Sequence, residues 1–387
     1  MEHVTVVGGG IGGLVTAIAA REEGMAVTLH EAHDRLGGRA WTTPGERKAN
    51  WGPHALYSDG PLWRWLDQRG LARPVTTFPK TGKSLLRDDG RVRRLPSLSV
   101  ARAVLRLRRA DAPVDASFRD WAHTVVDDDE AVAKVCAVIG VATFHHDPGS
   151  LSAAFVADKL RRVTGFPPTV RYVQGGWGAL VERLASRARH LGVRIETSSP
   201  VDVLPDGPVV LAVPLRAASA LLGEELTWTG ARTALLDVAV ERRRGDPFLV
   251  ADFDEGGWVE TFSMSDPTLA PPGEHLVQAQ IGMRPDETLD DAIARLERLV
   301  DAGYDGWRDR VRWRRQAKVD GESGAVDLPG TSWRDRPAID RGGGVYLVGD
   351  MAAAPGLLAE VSHASALTAV AAIATRSAGT SAAQLTP

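Results

Sequence analysis

The segment Val4-Thr5-Val6-Val7-Gly8-Gly9-Gly10-Ile11-Gly12-Gly13 joins a short apolar run to a glycine-rich turn. The run predicts a buried strand, and residues 14–21 predict the helix that follows it. Gly8 permits a tight turn, Gly10 lets the backbone approach a pyrophosphate closely, and Gly13 lets helix and strand pack together. The helix N-terminus then offers N–H groups and the positive end of its dipole to phosphates.

A carboxylate follows this turn at a distance typical of dinucleotide sites. Val27–His30 predicts a second, parallel strand, and Glu31 ends it about 20 residues after the glycines. An acid in that place accepts the ribose hydroxyls and disfavours a 2′-phosphate, so NADP is not expected. A glycine turn with a purely structural role is the alternative, but the order strand, turn, helix, strand, acid favours a site for NAD or FAD.

The composition predicts a soluble globular protein of two domains, or of one domain with large insertions. The 387 residues are 44% apolar and 25% charged, and the formal net charge of -3 gives no reason to expect a nucleic-acid partner. Cys136, the only cysteine, is expected to be a buried thiol, which fits a reducing cytoplasm. We expect no signal peptide and no spanning helix, because no apolar stretch approaches about 18 residues.

The predicted secondary structure changes twice after the N-terminal α/β segment. Leu98–Arg109 predicts a basic helix that either lies on an anionic membrane surface or, as we favour, faces solvent. Residues 225–335 contain short strand patterns separated by Pro and Gly, which is typical of an antiparallel sheet with helices. Val345–Val348 then predicts another buried strand, with Gly349 and Asp350 at its carboxyl end, where ligands bind in open α/β sheets.

Five motifs, in order along the chain, resemble those of the flavin amine oxidase and phytoene desaturase superfamily. They are the glycine turn with Glu31, Leu36-Gly37-Gly38-Arg39, Trp51-Gly52-Pro53-His54, Gly175-Gly176-Trp177-Gly178, and residues 345–350 with Pro355-Gly356-Leu357-Leu358. The resemblance implies an α/β fold with a discontinuous Rossmann-like FAD-binding domain at 1–75, 165–224 and 336–387. It also implies a smaller α+β substrate domain, built on an antiparallel sheet, at 76–164 and 225–335.

The same resemblance implies which residues hold FAD. The glycine turn and Glu31 would hold the AMP half, Arg39 would lie near the pyrophosphate, and Val201 would contact adenine through its backbone. A guanidinium suits phosphate oxygens bidentately, although a surface ion pair is the alternative for Arg39. The implied cofactor-binding residues are Gly8, Gly10, Gly13, Glu31, Gly37, Gly38, Arg39, Gly52, Pro53, Val201, Gly349, Asp350, Leu357 and Leu358.

Differences from the superfamily motifs favour some reactions of the superfamily over others. Many amine oxidases place an aromatic residue of the last motif beside the flavin, but residues 358–365 contain none, which favours the desaturase-like branch. The candidate proton acceptors are His54, in the loop implied to pass the flavin, and His363 and Glu360 near the start of the final helix. A packing role is the alternative for both histidines. Adjacent histidines such as those at 145–146 are expected to point apart, and no second cluster of ligands appears in the sequence, so we expect no metal site.

The leading hypothesis is an FAD-dependent oxidoreductase that dehydrogenates a C–C or C–N bond of a partly apolar small molecule. The resemblance implies hydride transfer to flavin N5, with oxygen or a quinone as the candidate electron acceptor. The alternatives are an isomerase or cyclase on the same scaffold and a non-catalytic nucleotide-binding protein. We expect no nucleic acid and at most peripheral contact with a membrane.

Overall fold

The computed structural model describes residues 2–52, 55–79 and 82–383. Its strands, in chain order, are β1 (His3–Val7), β2 (Ala26–His30), β3 (Ala55–Tyr57), β4 (Val75–Thr76), β5 (Ser84–Asp88), β6 (Arg91–Arg93), β7 (Val170–Val173), β8 (Arg194–Glu196), β9 (Val209–Leu211), β10 (Gly230–Glu241), β11 (Leu249–Asp252), β12 (Trp258–Thr261), β13 (Glu274–Gly282), β14 (Val311–Ala325) and β15 (Val345–Leu347). Its α-helices are α1 (Ile11–Glu22), α2 (Pro61–Gln68), α3 (Leu98–Arg109), α4 (Phe118–Val125), α5 (Asp129–Val138), α6 (Gly140–Thr143), α7 (Ala153–Val163), α8 (Gly176–His190), α9 (Leu215–Leu222), α10 (Phe262–Ser265), α11 (Leu289–Gly303) and α12 (Ala359–Ala383).

Five short strands form a parallel sheet in the order β15-β9-β1-β2-β8. Their register aligns Val7 with His30 on one side and with Leu211 on the other, and Leu211 with Leu347. The carboxyl ends of four strands therefore meet at one edge of the sheet. The glycine turn and Glu31 follow directly at that edge, as the sequence predicted.

Helices α1, α8 and α12 pack around this parallel sheet. The shared core combines strand residues such as Val6 with helix residues such as Leu14 and Val370. Helix α12 begins at Ala359, directly after Leu358, whose φ of +57° lies in the left-handed region and not in the helical one. The prediction of a Rossmann-like layer is confirmed.

A second sheet of seven strands has the order β14-β10-β13-β12-β11-β5-β6. It is antiparallel except where β11 runs parallel to β5. Residues directly opposite each other share a face, so the pairs Leu236–Ala279 and Val238–Val277 lie on one side, where they pack with α11. The pairs Leu235–Gln280 and Asp237–Gln278 lie on the other side. The antiparallel sheet that the sequence predicted is thus confirmed, with one face buried by a helix.

Helices α3 to α7 form a third layer with its own apolar core, which includes Leu107, Phe118 and Leu160. The core of the parallel sheet draws its members from residues 4–72, 173–226 and 339–373. The domain boundaries expected from the sequence stay a prediction. Within the described ranges, no helix combines the length and the apolar character that crossing a membrane requires.

Candidate cofactor and substrate site

A cleft of about 780 Å³ opens at the carboxyl edge of the parallel sheet and continues to the second sheet. One end is lined by the glycine turn at 8–12 and by Glu31. Arg39 and Asp350 lie along it, and the other end reaches β10, β13 and β14 through residues such as Leu235 and Gln280. The cleft therefore connects the nucleotide motif to the face of the antiparallel sheet that α11 leaves open.

The glycine turn is closed against its neighbours and open toward the cleft. A Cβ on Gly8 would lie 2.3 Å from the carbonyl oxygen of Ala212, and one on Gly13 would lie 1.9 Å from that of Gly8. A Cβ on Gly10 would meet nothing closer than the carbonyl oxygen of Gly37, at 3.9 Å. Gly10 is also the N-cap of α1 and supplies no side-chain cap to its N–H groups. This cradle fits the pyrophosphate of a dinucleotide.

Glu31 is buried behind the turn and shapes it. Its Oε2 accepts a hydrogen bond from the Gly9 N–H at 2.8 Å, and its Oε1 accepts one from the His33 N–H at 3.0 Å. The His33 ring nitrogen Nδ1 lies 2.8 Å from the same Oε1. A carboxylate has about four acceptor positions, so Glu31 can hold the turn and still accept a ribose hydroxyl.

Arg39 and Asp350 form a bidentate ion pair across the cleft. Arg39 Nη1 lies 2.9 Å from Asp350 Oδ2, and Nη2 lies 2.7 Å from Oδ1. The Gly324 N–H donates to Oδ2 at 3.0 Å. Burial raises the pKa of Asp350, but Arg39 and the backbone N–H groups outweigh it, so the pKa is lowered and the group is a carboxylate. The ion pair that the sequence left open for Arg39 is present, and it joins three separate parts of the chain.

Asn50 ties the loop at 41–52 to the start of α8. Its Oδ1 accepts from the Trp177 N–H at 2.9 Å and from the Thr42 hydroxyl at 2.8 Å. Thr42 Oγ1 accepts in turn from the Gly178 N–H at 2.8 Å. A Cβ on Gly176 would lie 2.7 Å from Asn50 Oδ1, so this approach requires the mid-chain glycine.

A buried polar network fixes the same loop to the second sheet. The Asn50 carbonyl oxygen accepts from Arg315 Nη2 at 2.6 Å and from Gln278 Nε2 at 3.0 Å. Asp237 accepts from both donors, from Arg315 Nε at 2.8 Å and from Gln278 Nε2 at 2.7 Å. The Arg315 guanidinium also lies 5.3 Å from the centre of the Trp51 ring, which lines the cleft. The network therefore positions a wall of the site.

The part of the cleft beside the second sheet, here called the substrate end, has a mainly apolar wall. Its residues are Trp51, Gly52, Ala55, Phe144, Trp177, Ala231, Thr233, Leu235, Gln280, Val319 and Gly324. Gln280 is almost fully buried, and its Oε1 has no hydrogen-bond partner among the described residues. A Cβ on Gly52 would lie 3.5 Å from that oxygen. Such a wall suits a partly apolar molecule that presents one hydrogen-bonding group.

Most of the residues implied to bind cofactor lie on the cleft wall: Gly8, Gly10, Glu31, Gly37, Gly38, Arg39, Gly52, Val201, Gly349, Asp350 and Leu358. Gly13 and Leu357 lie behind the wall, where Gly13 packs α1 against the turn and the Leu357 N–H donates to Glu360 at 3.1 Å. Pro53 and His54 lie outside the described residues. Cofactor contact stays a prediction for all of them.

His363 and Glu360 are not brought to the cleft wall. Ser362 lines the cleft, whereas the next residue, His363, packs edge-on against Trp65 of α2. Burial and the nearby Arg69 lower the pKa of His363 to about 4, and neither ring nitrogen has a partner in the described part of the chain. Glu360 Oε1 accepts from Arg162 at 2.7 Å. The geometry supports packing and capping roles for the two residues rather than substrate contact.

Glu260 is a buried acid that the sequence did not single out. It lies on β12 opposite Gln278, so its side chain is on the same face of the sheet as the cleft. The hydroxyl of Tyr172 hydrogen-bonds to it, and its Oε1 has no partner among the described residues. Burial raises the pKa of Glu260 to about 8, so the side chain is mostly a neutral acid at pH 7.

Two patterns in the sequence carried information about these residues. Gln278 and Gln280 alternate with apolar residues in β13, and Asp237 interrupts the apolar run at 234–240 in β10. Polar residues at a spacing of two in a buried strand indicate that one face of the strand meets something other than a hydrophobic core.

Comparison with known proteins agrees with this geometry. Residues 6–69 match the model of the NAD(P)-binding Rossmann-like domain family. A 4,4'-diapolycopen-4-al dehydrogenase of Metabacillus indicus is 38% identical over 71 residues, which are 18% of this chain and 14% of that protein. The chain therefore matches only a small part of that relative's length.

Solved structures resemble the chain over nearly its whole length. An oxidoreductase from Methanosarcina mazei superposes with a TM-score of 0.78 at 18% identity, covering 95% of this chain and 99% of the other. Cyclohexylamine oxidase from Brevibacterium oxydans superposes with a TM-score of 0.69 at 17% identity, covering 97% and 99%. The chain thus shares the fold of these proteins, and the α/β fold that the motif resemblance implied is confirmed.

Proposed function

We propose that this protein is an FAD-dependent oxidoreductase that dehydrogenates a C–C or C–N bond of a partly apolar small molecule. The observation that carries the proposal is the continuity of the cleft. A single cleft joins the glycine turn, the Arg39–Asp350 pair and the substrate end. An extended dinucleotide that reaches from the first to the last would bring its reactive ring to an apolar wall.

Two glycines on the cleft wall support a bound dinucleotide. At Gly349 an added Cβ would meet no atom within 4 Å, and at Gly10 the nearest atom would be 3.9 Å away. Both backbones therefore face the cleft, Gly10 after the central strand β1 and Gly349 after the edge strand β15. The carboxylate of Glu31 at the first strand pair favours a nucleotide without a 2′-phosphate.

Bound FAD would supply the hydride acceptor for the reaction. The chain's own residues would bind and orient the two reactants. The N-terminus of α1 and Arg39 offer N–H donors to phosphates, and Glu31 offers acceptors to a ribose. Trp51, held by Arg315, and the other apolar residues of the substrate end would exclude water and leave Gln280 to orient one polar group of the substrate.

His54 is the proposed proton acceptor. It lies in sequence between Gly52 and Ala55, which are both on the wall of the substrate end. The described residues that define the substrate end carry no titratable side chain. A base would therefore have to come from a neighbouring segment of the chain or from water that enters with the substrate. Reactions that need no strong base, such as oxidation of a neutral amine, fit this wall best.

Anaerobic reduction of the purified holoprotein tests the proposed function. Panels of apolar primary and secondary amines and of polyenes are added without oxygen, and flavin absorbance is followed. Stoichiometric bleaching by at least one compound, restored by oxygen or a quinone, is the expected result. Product formed from a pre-reduced enzyme without net bleaching would instead support the isomerase or cyclase alternative. A protein that never binds flavin would support the non-catalytic alternative.

A further inference from the structure

Residues 91–109 form one basic, solvent-facing segment, here called the arginine segment. It consists of the edge strand β6, a short link and helix α3. It contains seven arginines and no acidic residue, in a chain whose formal net charge is -3. The positive charge is therefore local, and the rest of the chain is acidic.

Most arginines of this segment have no counterion among the residues that the structure describes. Arg93 lies 3.4 Å from Asp88, and Arg108 is partly buried. The others are exposed and make no ion pair with any described residue; they are Arg91, Arg94, Arg102, Arg106 and Arg109. A cluster of unpaired positive charges attracts an anionic partner, and salt weakens this attraction.

Large apolar side chains are exposed among these arginines. Leu95, Leu98 and Leu105 are 77%, 74% and 49% exposed. On α3, positions 98, 102, 105 and 109 follow the helical repeat and form one outward stripe in which leucine and arginine alternate. An isolated exposed leucine is ordinary, but three within eleven residues of a basic segment are not explained by folding.

The opposite face of α3 holds the helix in place. Val100, Ala103 and Leu107 are buried in the core that α3 shares with α4, α5 and α7. Ser97 caps the helix, with its hydroxyl oxygen accepting from the Val100 N–H at 3.3 Å. The outward stripe therefore contributes little to the fold, and its residues can change without loss of the core.

We propose that the arginine segment docks the protein on the surface of an anionic lipid bilayer. Arginines at the level of the head groups keep their charge in water while leucines between them enter the acyl boundary. A nucleic acid would use the arginines but leave the leucines exposed, so a bilayer accounts for both observations. Contact at the surface also agrees with the described helices, none of which could span a membrane. The inference holds whatever reaction the cleft performs.

Sedimentation with vesicles tests this inference on the intact holoprotein. Vesicles of phosphatidylcholine alone are compared with equimolar phosphatidylcholine and phosphatidylglycerol, at low and high salt. The wild-type protein is expected to bind the anionic vesicles and to leave them at high salt. Leu98→Ser/Leu105→Ser and Arg102→Gln/Arg109→Gln are each expected to weaken binding about tenfold or more.

Matched variants elsewhere on the surface separate a site from a general effect. Phe166→Ser removes a side chain that is 91% exposed outside the segment. Arg73→Gln/Arg194→Gln removes two exposed charges from distant loops and strands. Both controls are expected to bind anionic vesicles like the wild type, and circular dichroism checks that every variant is folded.

Three results would overturn the inference. One is the absence of binding to anionic vesicles at low salt. Another is equal weakening by the control variants, which would mean that charge anywhere on the surface suffices. The third is full binding by the double leucine variant, together with arginine-dependent binding to a nucleic acid, which would point to a polyanion instead of a bilayer.

Discussion

Glu260→Gln is expected to stabilise the protein more and more as the pH rises from about 5 to about 8. Glu260 is a buried acid that forms no ion pair within the described ranges, and burial raises its pKa to about 8 from an ordinary value of 4.5. In the unfolded chain the carboxyl loses its proton near 4.5, whereas in the folded protein it keeps the proton until about 8. The folded state therefore holds one more proton in this window, and its stability falls as the pH rises.

The size of the effect follows from the difference between the two pKa values. One pKa unit corresponds to about 1.4 kcal/mol, so the wild type is expected to lose up to about 5 kcal/mol across the whole window. Gln has the shape of the neutral acid and can still accept the Tyr172 hydrogen bond, but it does not titrate. The stability difference between variant and wild type is thus expected to grow by roughly 1 kcal/mol per pH unit.

Urea unfolding of both proteins at several pH values between about 5 and 8 measures this difference. Glu297→Gln is the matched control, because Arg314 and Arg308 outweigh burial and lower the pKa of Glu297. Glu297 is ionised in both states throughout the window, so its variant is expected to show a constant difference. A constant difference for Glu260→Gln as well would refute the reasoning, because it would mean that Glu260 is ionised in the folded protein at pH 5.

Three further changes test the cleft and its surroundings. Gly10→Val is expected to abolish FAD binding with little change in the melting temperature of the apoprotein, whereas Gly13→Val is expected to prevent folding. A Gly10→Val protein that still binds flavin would contradict the assignment of the glycine turn as the pyrophosphate site. Arg39→Gln should weaken FAD binding at least about tenfold in a titration of the apoprotein, and Arg94→Gln, a change far from the motif, should not. Because the pKa of His363 is lowered to about 4, the wild type loses stability as the pH falls below 6.5. His363→Leu should remove roughly 3 kcal/mol of this loss in urea unfolding at low pH. Equal pH profiles of variant and wild type would argue that the ring has a polar partner.

The parallel layer was predictable because its signals are local. A glycine turn between an apolar run and a helix-forming segment specifies strand, turn and helix within about 20 residues. The structure shows why Gly8 and Gly13 must lack a Cβ, because an added Cβ would lie 2.3 Å and 1.9 Å from backbone oxygens. The position of Glu31 followed from the same unit, although its hydrogen bond to Gly9 did not.

The polar network around Asn50 was not predictable from the sequence. The pairing of β10 with β13 and β14 brings Asp237, Gln278 and Arg315 together, and the loop that carries Asn50 then meets them. Nothing within a local window specifies that pairing or the loop that it holds. The alternating glutamines of β13 showed that one face is polar, but not which loop would meet it.

The sequence did not predict, for a different reason, that the side chains of His363 and Glu360 lie away from the cleft. The first turns of α12 consist mostly of small and apolar residues, and its buried residues include Val361, Ser365 and Ala366. A helix that is buried nearly all round carries no amphipathic pattern from which to read the side that faces a ligand. Neighbouring residues of this helix therefore face different surroundings: Ser362 lies on the cleft wall, whereas His363 packs against α2.

The most direct test of the central claim is the visible absorption spectrum of the purified protein, with the cofactor released by denaturation and identified. The account predicts flavin bands and released FAD, and it predicts that apoprotein regains them when FAD is added. A colourless protein that stays colourless after incubation with FAD would contradict the assignment of the cleft, and the proposed oxidoreductase activity would fall with it.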